Sequence, residues 1–124
     1  YGDHRDLHYP LRRQRQMCIR DRHQRLLKAY LLGKSYVRGN LLELGCGEGR
    51  GIAELSDLVS HYTAIDKINS AIEKLKLKYP QFRFKSCLFP PIPFPDNSFD
   101  SIISFQVIEH LENDNLFLKE IYRI

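Results

Sequence analysis

The residues best suited to chemistry form a glycine-rich loop with one acid before it and another after it. Gly45, Gly47 and Gly49 follow Glu43, and Asp66 ends the next apolar run of the chain. Glycine allows a sharp turn and a close approach of the backbone to a ligand. A helix after such a loop offers free N–H groups to an anion, and a carboxylate in the position of Asp66 suits both hydroxyls of a ribose. The pattern therefore favours a nucleoside site over an ordinary turn.

Two other nucleotide-binding patterns do not fit this chain. The dinucleotide fingerprint needs a third glycine where the sequence has Arg50 or Ile52, depending on the starting glycine. A phosphate-binding loop around Lys34 would need a glycine in place of Lys28. A nicotinamide-dependent oxidoreductase is therefore the weaker interpretation, and an ordinary glycine turn with Asp66 as a helix cap stays the alternative to a nucleoside site.

Apolar runs and helical periodicities alternate along residues 23–124. The pattern predicts helices over residues 23–36, 52–59, 70–79 and 114–122, and strands over residues 41–44, 62–65, 82–88 and 102–107. This alternation predicts an α/β fold with a doubly wound parallel sheet. Ser70 and Glu73 have the spacing of a capping box at a helix start. Four strands are about half of a usual domain of this class, so we expect the later strands to be missing.

Three stretches of the sequence resemble the motifs of one enzyme family. They read LLELGCGEG (41–49), YTAID (62–66) and PFPDNSFDSIISFQVIEHL (93–111). In this order they resemble the class I S-adenosylmethionine-dependent methyltransferases, particularly those similar to the ubiquinone and menaquinone biosynthesis enzymes. The resemblance extends from about Leu41 to Tyr122. It implies a Rossmann-like fold, of which this chain holds the first four strands, and methyl transfer from S-adenosyl-L-methionine to a small-molecule acceptor.

The resemblance also implies roles for individual residues. The glycine loop would line the methionine end of the cofactor, Glu43 would contact its amino group directly or through water, and Asp66 would hold the ribose. The family often has an acid after its third strand that meets the adenine; this chain reads KSCL there (85–88), so the backbone or Ser86 would replace it. The implied cofactor-binding residues are Glu43, Gly45, Cys46, Gly47, Gly49, Asp66, Lys67, Ile68, Cys87, Leu88 and Phe105.

His110 is the candidate catalytic residue because it follows the fourth predicted strand. A sulfonium is already an activated leaving group, so alignment supplies much of the rate, and a base is needed only for a protonated acceptor. The alternative is that Glu109 caps the next helix and His110 packs at its start. We expect no metal site, since Gln106 replaces the first glutamate of a similar metal-binding motif and no later histidine completes it. Cys46 is expected to be a packing residue.

Composition and charge exclude several classes of protein. The chain has 124 residues, a net charge of +4 and three widely spaced cysteines, which do not form a disulfide framework or a zinc motif. No apolar run approaches the ~20 residues of a membrane span, and nothing resembles a secretory signal, so we expect a cytoplasmic protein. Six arginines against three aspartates place most of the basic excess in residues 1–22. We therefore expect no nucleic-acid partner for the domain.

Residues 1–22 resemble a conceptual translation of a sequencing adapter. RRQRQMCIRD (12–21) and YGDHRDLH (1–8) both read as adapter DNA, and the three residues between them occupy the space of an index. We expect this segment to be non-native or disordered. The domain would then be residues 23–124, a fragment that is inactive alone. The alternative function is a non-catalytic cofactor-binding module or scaffold subunit.

Overall fold

A four-stranded parallel sheet forms the middle of the protein. The computed structural model describes residues 20–124, and its strands are β1 (Asn40–Leu44), β2 (His61–Asp66), β3 (Arg83–Ser86) and β4 (Ser101–Ser104). They lie in the order β3-β2-β1-β4, and every neighbouring pair is parallel. The predicted α/β fold with a parallel sheet is confirmed. Because the strand order reverses at β1, a ligand crevice is expected at its carboxyl end.

Within residues 20–124, four helices cover the two faces of the sheet. They are α1 (residues 20–33), α2 (Arg50–Leu55), α3 (Asn69–Lys78) and α4 (Asp114–Arg123), and short 3-10 turns occupy Ser56–Leu58 and Ile108–His110. Of the adapter-like segment, residues 20–22 belong to α1, and residues 1–19 lie outside the described part. No helix within residues 20–124 is both long and apolar enough to cross a membrane.

Neighbouring residues of β1 point into two separate cores. Leu41 packs among side chains of α1, α2 and α3, whereas Leu42 packs with Phe117 of α4 and with Ile92. The three leucines of β1, Leu41, Leu42 and Leu44, are fully buried. A strand that is covered on both faces needs a nearly continuous apolar run, which explains the sequence of β1.

The end of α4 holds the proline-rich segment that precedes β4. The guanidinium of Arg123 donates from Nη1 to the carbonyl of Phe94 at 2.7 Å and to Asp96 Oδ1 at 2.8 Å. Its Nη2 donates to the carbonyl of Ile92 at 2.8 Å. A planar guanidinium suits several acceptors at once, so one side chain fixes a segment that has no regular structure of its own.

Several element boundaries differ from the predicted ones. The helix expected to reach Val59 ends at Leu55 and continues as a 3-10 turn. The predicted capping box is wrong, because Ile68 is the N-cap of α3 without a side-chain hydrogen bond and Ser70 lies inside the helix. The last strand ends at Ser104 rather than residue 107, since Gln106 has a φ of 59°, which is incompatible with a strand.

Candidate functional site

The glycine-rich loop turns immediately after β1 and is fixed to β2. The amides of Gly45 and Cys46 both donate to the carbonyl of Ile65, at 2.8 and 3.3 Å. The φ angles of Gly45, Gly47 and Gly49 are 80°, 54° and 82°. Residues other than glycine rarely adopt this left-handed region, so the alternating glycines are required by the path of the loop.

The three glycines have different surroundings. A Cβ at Gly45 would clash with the side chain of Val107, and one at Gly49 would lie 2.5 Å from Leu75 Cδ2. Among residues 20–124, and apart from Gly47 and its two chain neighbours, no protein atom lies within 4 Å of the corresponding point at Gly47. Gly45 and Gly49 are therefore constrained by packing as well as by φ, whereas the missing side chain of Gly47 leaves room on the cavity side.

Asp66 connects the end of β2 to the glycine loop. Its Oδ2 accepts a hydrogen bond from the amide of Gly47 at 2.8 Å, and its Oδ1 accepts one from the amide of Ile68 at 2.9 Å. The residue is 8% exposed and lines a cavity. Each carboxylate oxygen accepts more than one hydrogen bond, so both oxygens retain the capacity to accept from the hydroxyls of a ligand.

The cavity lies at the carboxyl ends of the strands and has a volume of about 530 Å³, which is within the usual range of ~300–1,000 Å³ for small-molecule sites. Eight of the eleven residues predicted to bind the cofactor line it: Gly45, Cys46, Gly47, Asp66, Lys67, Ile68, Leu88 and Phe105. Glu43, Gly49 and Cys87 are not among the lining residues. The structure therefore brings together Asp66 at the end of β2 and residues of the loops that follow β1, β2, β3 and β4.

Part of the cavity wall was not expected from the sequence. Helix α1 supplies Arg22, His23, Leu26 and Tyr30, and Arg22 belongs to the adapter-like segment. Other unexpected lining residues are Glu48, Arg50, Phe89, Gln106, Val107 and Leu111. The apolar periodicity of α1 predicted a helix but not the part of the sheet that it would cover.

Glu43 lies inside the protein rather than on the cavity wall. It is 1% exposed, and its two oxygens accept hydrogen bonds from the hydroxyls of Tyr30 at 2.5 Å and Tyr62 at 2.6 Å. Burial raises the pKa of Glu43, and these two hydrogen bonds oppose part of that effect. Burial also raises the pKa of both tyrosines far above its ordinary value. Each oxygen therefore has a tyrosine donor, and the side chain has almost no surface open to a ligand.

Cys46 has the environment of a packing residue. Its side chain is buried, and burial raises the pKa of the thiol well above its ordinary value, with a further contribution from the neighbouring Glu43. A thiol in this state does not form the thiolate that nucleophilic chemistry needs. The geometry therefore agrees with the expected packing role of Cys46 in the loop.

His110 is an exposed residue of the cavity rim. It lies in a 3-10 turn, its side chain is 73% exposed, and its Nε2 is 3.7 Å from Glu109 Oε1. The expectation that Glu109 caps the next helix is wrong, because Asn113 Oδ1 accepts from the amide of Leu116 at the start of α4. Among the described residues, no group of three His, Cys, Asp or Glu side chains is placed to hold a metal ion.

Comparisons with known proteins place most of the chain in one group. The family described as "Methyltransferase domain" matches residues 42–124. A probable S-adenosylmethionine-dependent methyltransferase of Mycolicibacterium smegmatis is 32% identical over 68% of this chain and 33% of its own length. A similarly described protein of Mycobacterium tuberculosis is 33% identical over 68% of this chain and 31% of its own length. The chain spans about a third of these relatives.

Solved structures share the fold at lower identity. A Haloferax volcanii complex of the Trm112 methyltransferase activator with a methyltransferase matches with a TM-score of 0.73 and 23% identity, covering 90% of this chain and 51% of the other. YcgJ of Bacillus subtilis matches with a TM-score of 0.60 and 24% identity over 69% of this chain and 38% of its own. The [4+2]-cyclase SpnF matches with a TM-score of 0.65 and 21% identity over 80% of this chain and 39% of its own. Because a cyclase shares this fold, the fold does not define the reaction.

Proposed function

We propose that this chain, which belongs to the methyltransferase-domain family, binds S-adenosyl-L-methionine in the cavity at the carboxyl ends of its strands and supports methyl transfer to a small-molecule acceptor. Family membership confirms the interpretation of the three sequence motifs. The observation that carries the proposal is Asp66, a carboxylate fixed by the amides of Gly47 and Ile68 on the cavity wall. This is the geometry that a ribose diol requires.

The other lining residues suit the remaining parts of the cofactor. The backbone of the glycine loop and the open side of Gly47 leave space for the methionine portion. Ile68 and Leu88 offer apolar surface to a base. Phe105 is an aromatic neighbour for a positively charged sulfonium, which is attracted to ring faces. The donor set, the apolar surface and the cavity size therefore support binding of this group.

The main chemical task of the protein is to align the methyl donor with the acceptor. When bound, the cofactor supplies a methyl group on a good leaving group. The protein residues exclude water and hold the acceptor in line, which is worth several kilocalories per mole in favourable cases. Leu26, Phe89, Val107 and Leu111 give the cavity an apolar wall, which supports an acceptor with an apolar portion. His110, on the cavity rim, is the candidate base for an acceptor that carries a proton.

The binding step is tested by calorimetric titration with S-adenosylhomocysteine, which has the same nucleoside but no methyl group to transfer. We expect the chain to bind it and not NADH. Asp66→Asn should weaken binding about 10- to 100-fold, since hydrogen bonds to a charged group are worth ~1.5–3 kcal/mol. Asp57→Asn is the matched control, because Asp57 is exposed and does not line the cavity. Preferential binding of NADH, or equal affinity of the two variants, would contradict the proposal.

The transfer step needs a separate measurement. We expect release of S-adenosylhomocysteine from S-adenosylmethionine when small acceptors with an apolar portion and a hydroxyl, amine or activated carbon are supplied. The readout is the amount of S-adenosylhomocysteine above that formed by a sample without protein. Binding without any release across such a set would favour the non-catalytic binding module instead.

A further inference from the structure

The buried carboxylate of Glu43 belongs to a hydrogen-bonded group of three side chains from three elements. Glu43 lies in β1, Tyr62 lies in β2, and Tyr30 lies in α1. Each tyrosine hydroxyl donates to a different carboxylate oxygen, at 2.5 and 2.6 Å. Both distances lie at the short end of the range for hydrogen bonds between two oxygens. Each oxygen has one tyrosine donor, and Glu43 is not among the residues that line the cavity.

Tyr30 connects this buried group to the cavity wall. Its side chain is 2% exposed, and it is one of the residues that line the cavity. Its ring lies edge-on to Phe105, with centroids 5.0 Å apart and an interplanar angle of 86°. A Cβ on Gly51 would clash with the same ring. The position of Tyr30 is therefore defined from β1, from α2 and from the segment after β4.

We infer that Glu43 is a positioning residue, which fixes α1 over the cavity through Tyr30 and does not bind the cofactor itself. This inference rests on the proposed function only in its ligand-binding part, because the attachment of α1 is a property of the free protein. Helix α1 also contributes His23 and Leu26 to the cavity wall. Release of Tyr30 would therefore displace one whole side of the site.

The two possible roles of Glu43 predict different responses of two ligands. S-adenosylhomocysteine carries an amino group, whereas 5′-methylthioadenosine has the same nucleoside and thioether without the amino acid portion. A positioning role predicts that Glu43→Gln lowers the affinity for both ligands by the same factor. We expect this factor to be about tenfold, the size that the loss of one buried hydrogen bond would give. A direct contact with the amino group predicts a loss for S-adenosylhomocysteine alone.

The experiment combines these titrations with amide hydrogen exchange of residues 23–33. Glu43→Gln and Tyr30→Phe should each speed exchange in α1 selectively, and the double variant should add little to either single change, as residues of one network do. Tyr36→Phe is the matched control, since Tyr36 lies just beyond α1 and is 80% exposed. If one variant does not fold, the other carries the same comparison.

The possible results of these measurements decide whether Glu43 is a positioning residue. Unchanged exchange of α1 in Glu43→Gln or Tyr30→Phe, or a loss confined to S-adenosylhomocysteine, overturns the positioning role. Additive effects in the double variant also overturn it, because they would place the two side chains in separate interactions. If the unmodified chain binds neither ligand, the proposed function fails, whereas the exchange measurements still decide whether Glu43 fixes α1.

Discussion

Gly45 and Gly47 both have positive φ angles, but a side chain at only one of them would meet protein atoms. Alanine at Gly47 adds the cost of a left-handed backbone, about 1 kcal/mol. Alanine at Gly45 adds the clash with Val107 as well, for a total of about 2–5 kcal/mol. We therefore expect Gly45→Ala to lower the free energy of unfolding much more than Gly47→Ala, as measured by urea denaturation.

Ligand binding, unlike stability, should be clearly affected by the change at Gly47. At Gly47 the added methyl group enters the cavity, so Gly47→Ala should weaken S-adenosylhomocysteine at least tenfold while most of the protein remains folded. Calorimetry at a temperature well below the unfolding transition measures this directly. Wild-type affinity in Gly47→Ala would mean that the ligand does not approach this part of the loop.

The sequence predicted these loop residues because their signal is local. Three alternating glycines and an acid at the end of the next strand lie within one βαβ unit, and in the structure Asp66 accepts a hydrogen bond from the amide of Gly47. The partners of Glu43 carried no such signal. Tyr30 and Tyr62 are separated from it by an intervening loop or helix, and which tyrosines reach a buried acid depends on how α1 packs against the sheet.

Among the elements, α4 affects the cavity although it does not line it. Phe117 of α4 is 2% exposed and stacks with Phe89 at a centroid distance of 6.0 Å, and Phe89 lines the cavity. Phe117→Leu should lower the free energy of unfolding by about 1–2 kcal/mol through the lost volume and stacking. The variant should also bind S-adenosylhomocysteine several-fold more weakly, because Phe89 loses the ring against which it stacks.

Leu118 supplies the control for this prediction. It lies next to Phe117 on the same helix but is 52% exposed, so Leu118→Ala should change the free energy of unfolding by no more than about 0.5 kcal/mol. Thermal unfolding and calorimetric titration of both variants give the comparison. Equal ligand affinity in Phe117→Leu and Leu118→Ala would show that α4 does not determine the position of Phe89.

The ends of the elements were harder to predict than the elements themselves. The apolar run after the proline segment predicted a strand to residue 107, but Gln106 turns the chain into the left-handed region. That turn places Phe105 against Tyr30 and Val107 against Gly45. Strand propensity is a property of the local sequence, whereas this early ending follows from contacts with α1 and with the glycine loop. Those contacts cannot be deduced from residues 102–107 alone.

At the scale of the whole molecule, the buried hydroxyls of Tyr30 and Tyr62 make the stability of the fold fall at alkaline pH. Burial is the first cause of the raised pKa of Tyr30 and Tyr62, followed by the charge of Glu43. An exposed tyrosine in the unfolded chain loses its proton near its ordinary pKa of 10.0, while the folded protein keeps both protons. The contribution of each tyrosine is therefore fully present below pH 10 and declines as the pH rises above it.

Tyr30→Phe isolates one of these two contributions. Well above pH 10, each retained proton makes the free energy of unfolding fall by about 1.4 kcal/mol per pH unit. The variant should be less stable than the unmodified chain at pH 7, because Glu43 loses a hydrogen-bond partner. Above pH 10, however, its free energy of unfolding should fall less steeply, by about 1.4 kcal/mol less per pH unit. Urea denaturation at several pH values between 8 and 11.5 measures both slopes, with Tyr36→Phe as the matched control. Parallel slopes for Tyr30→Phe and the unmodified chain would mean that Tyr30 ionises equally in the folded and unfolded states, which the buried hydrogen bond to Glu43 does not allow.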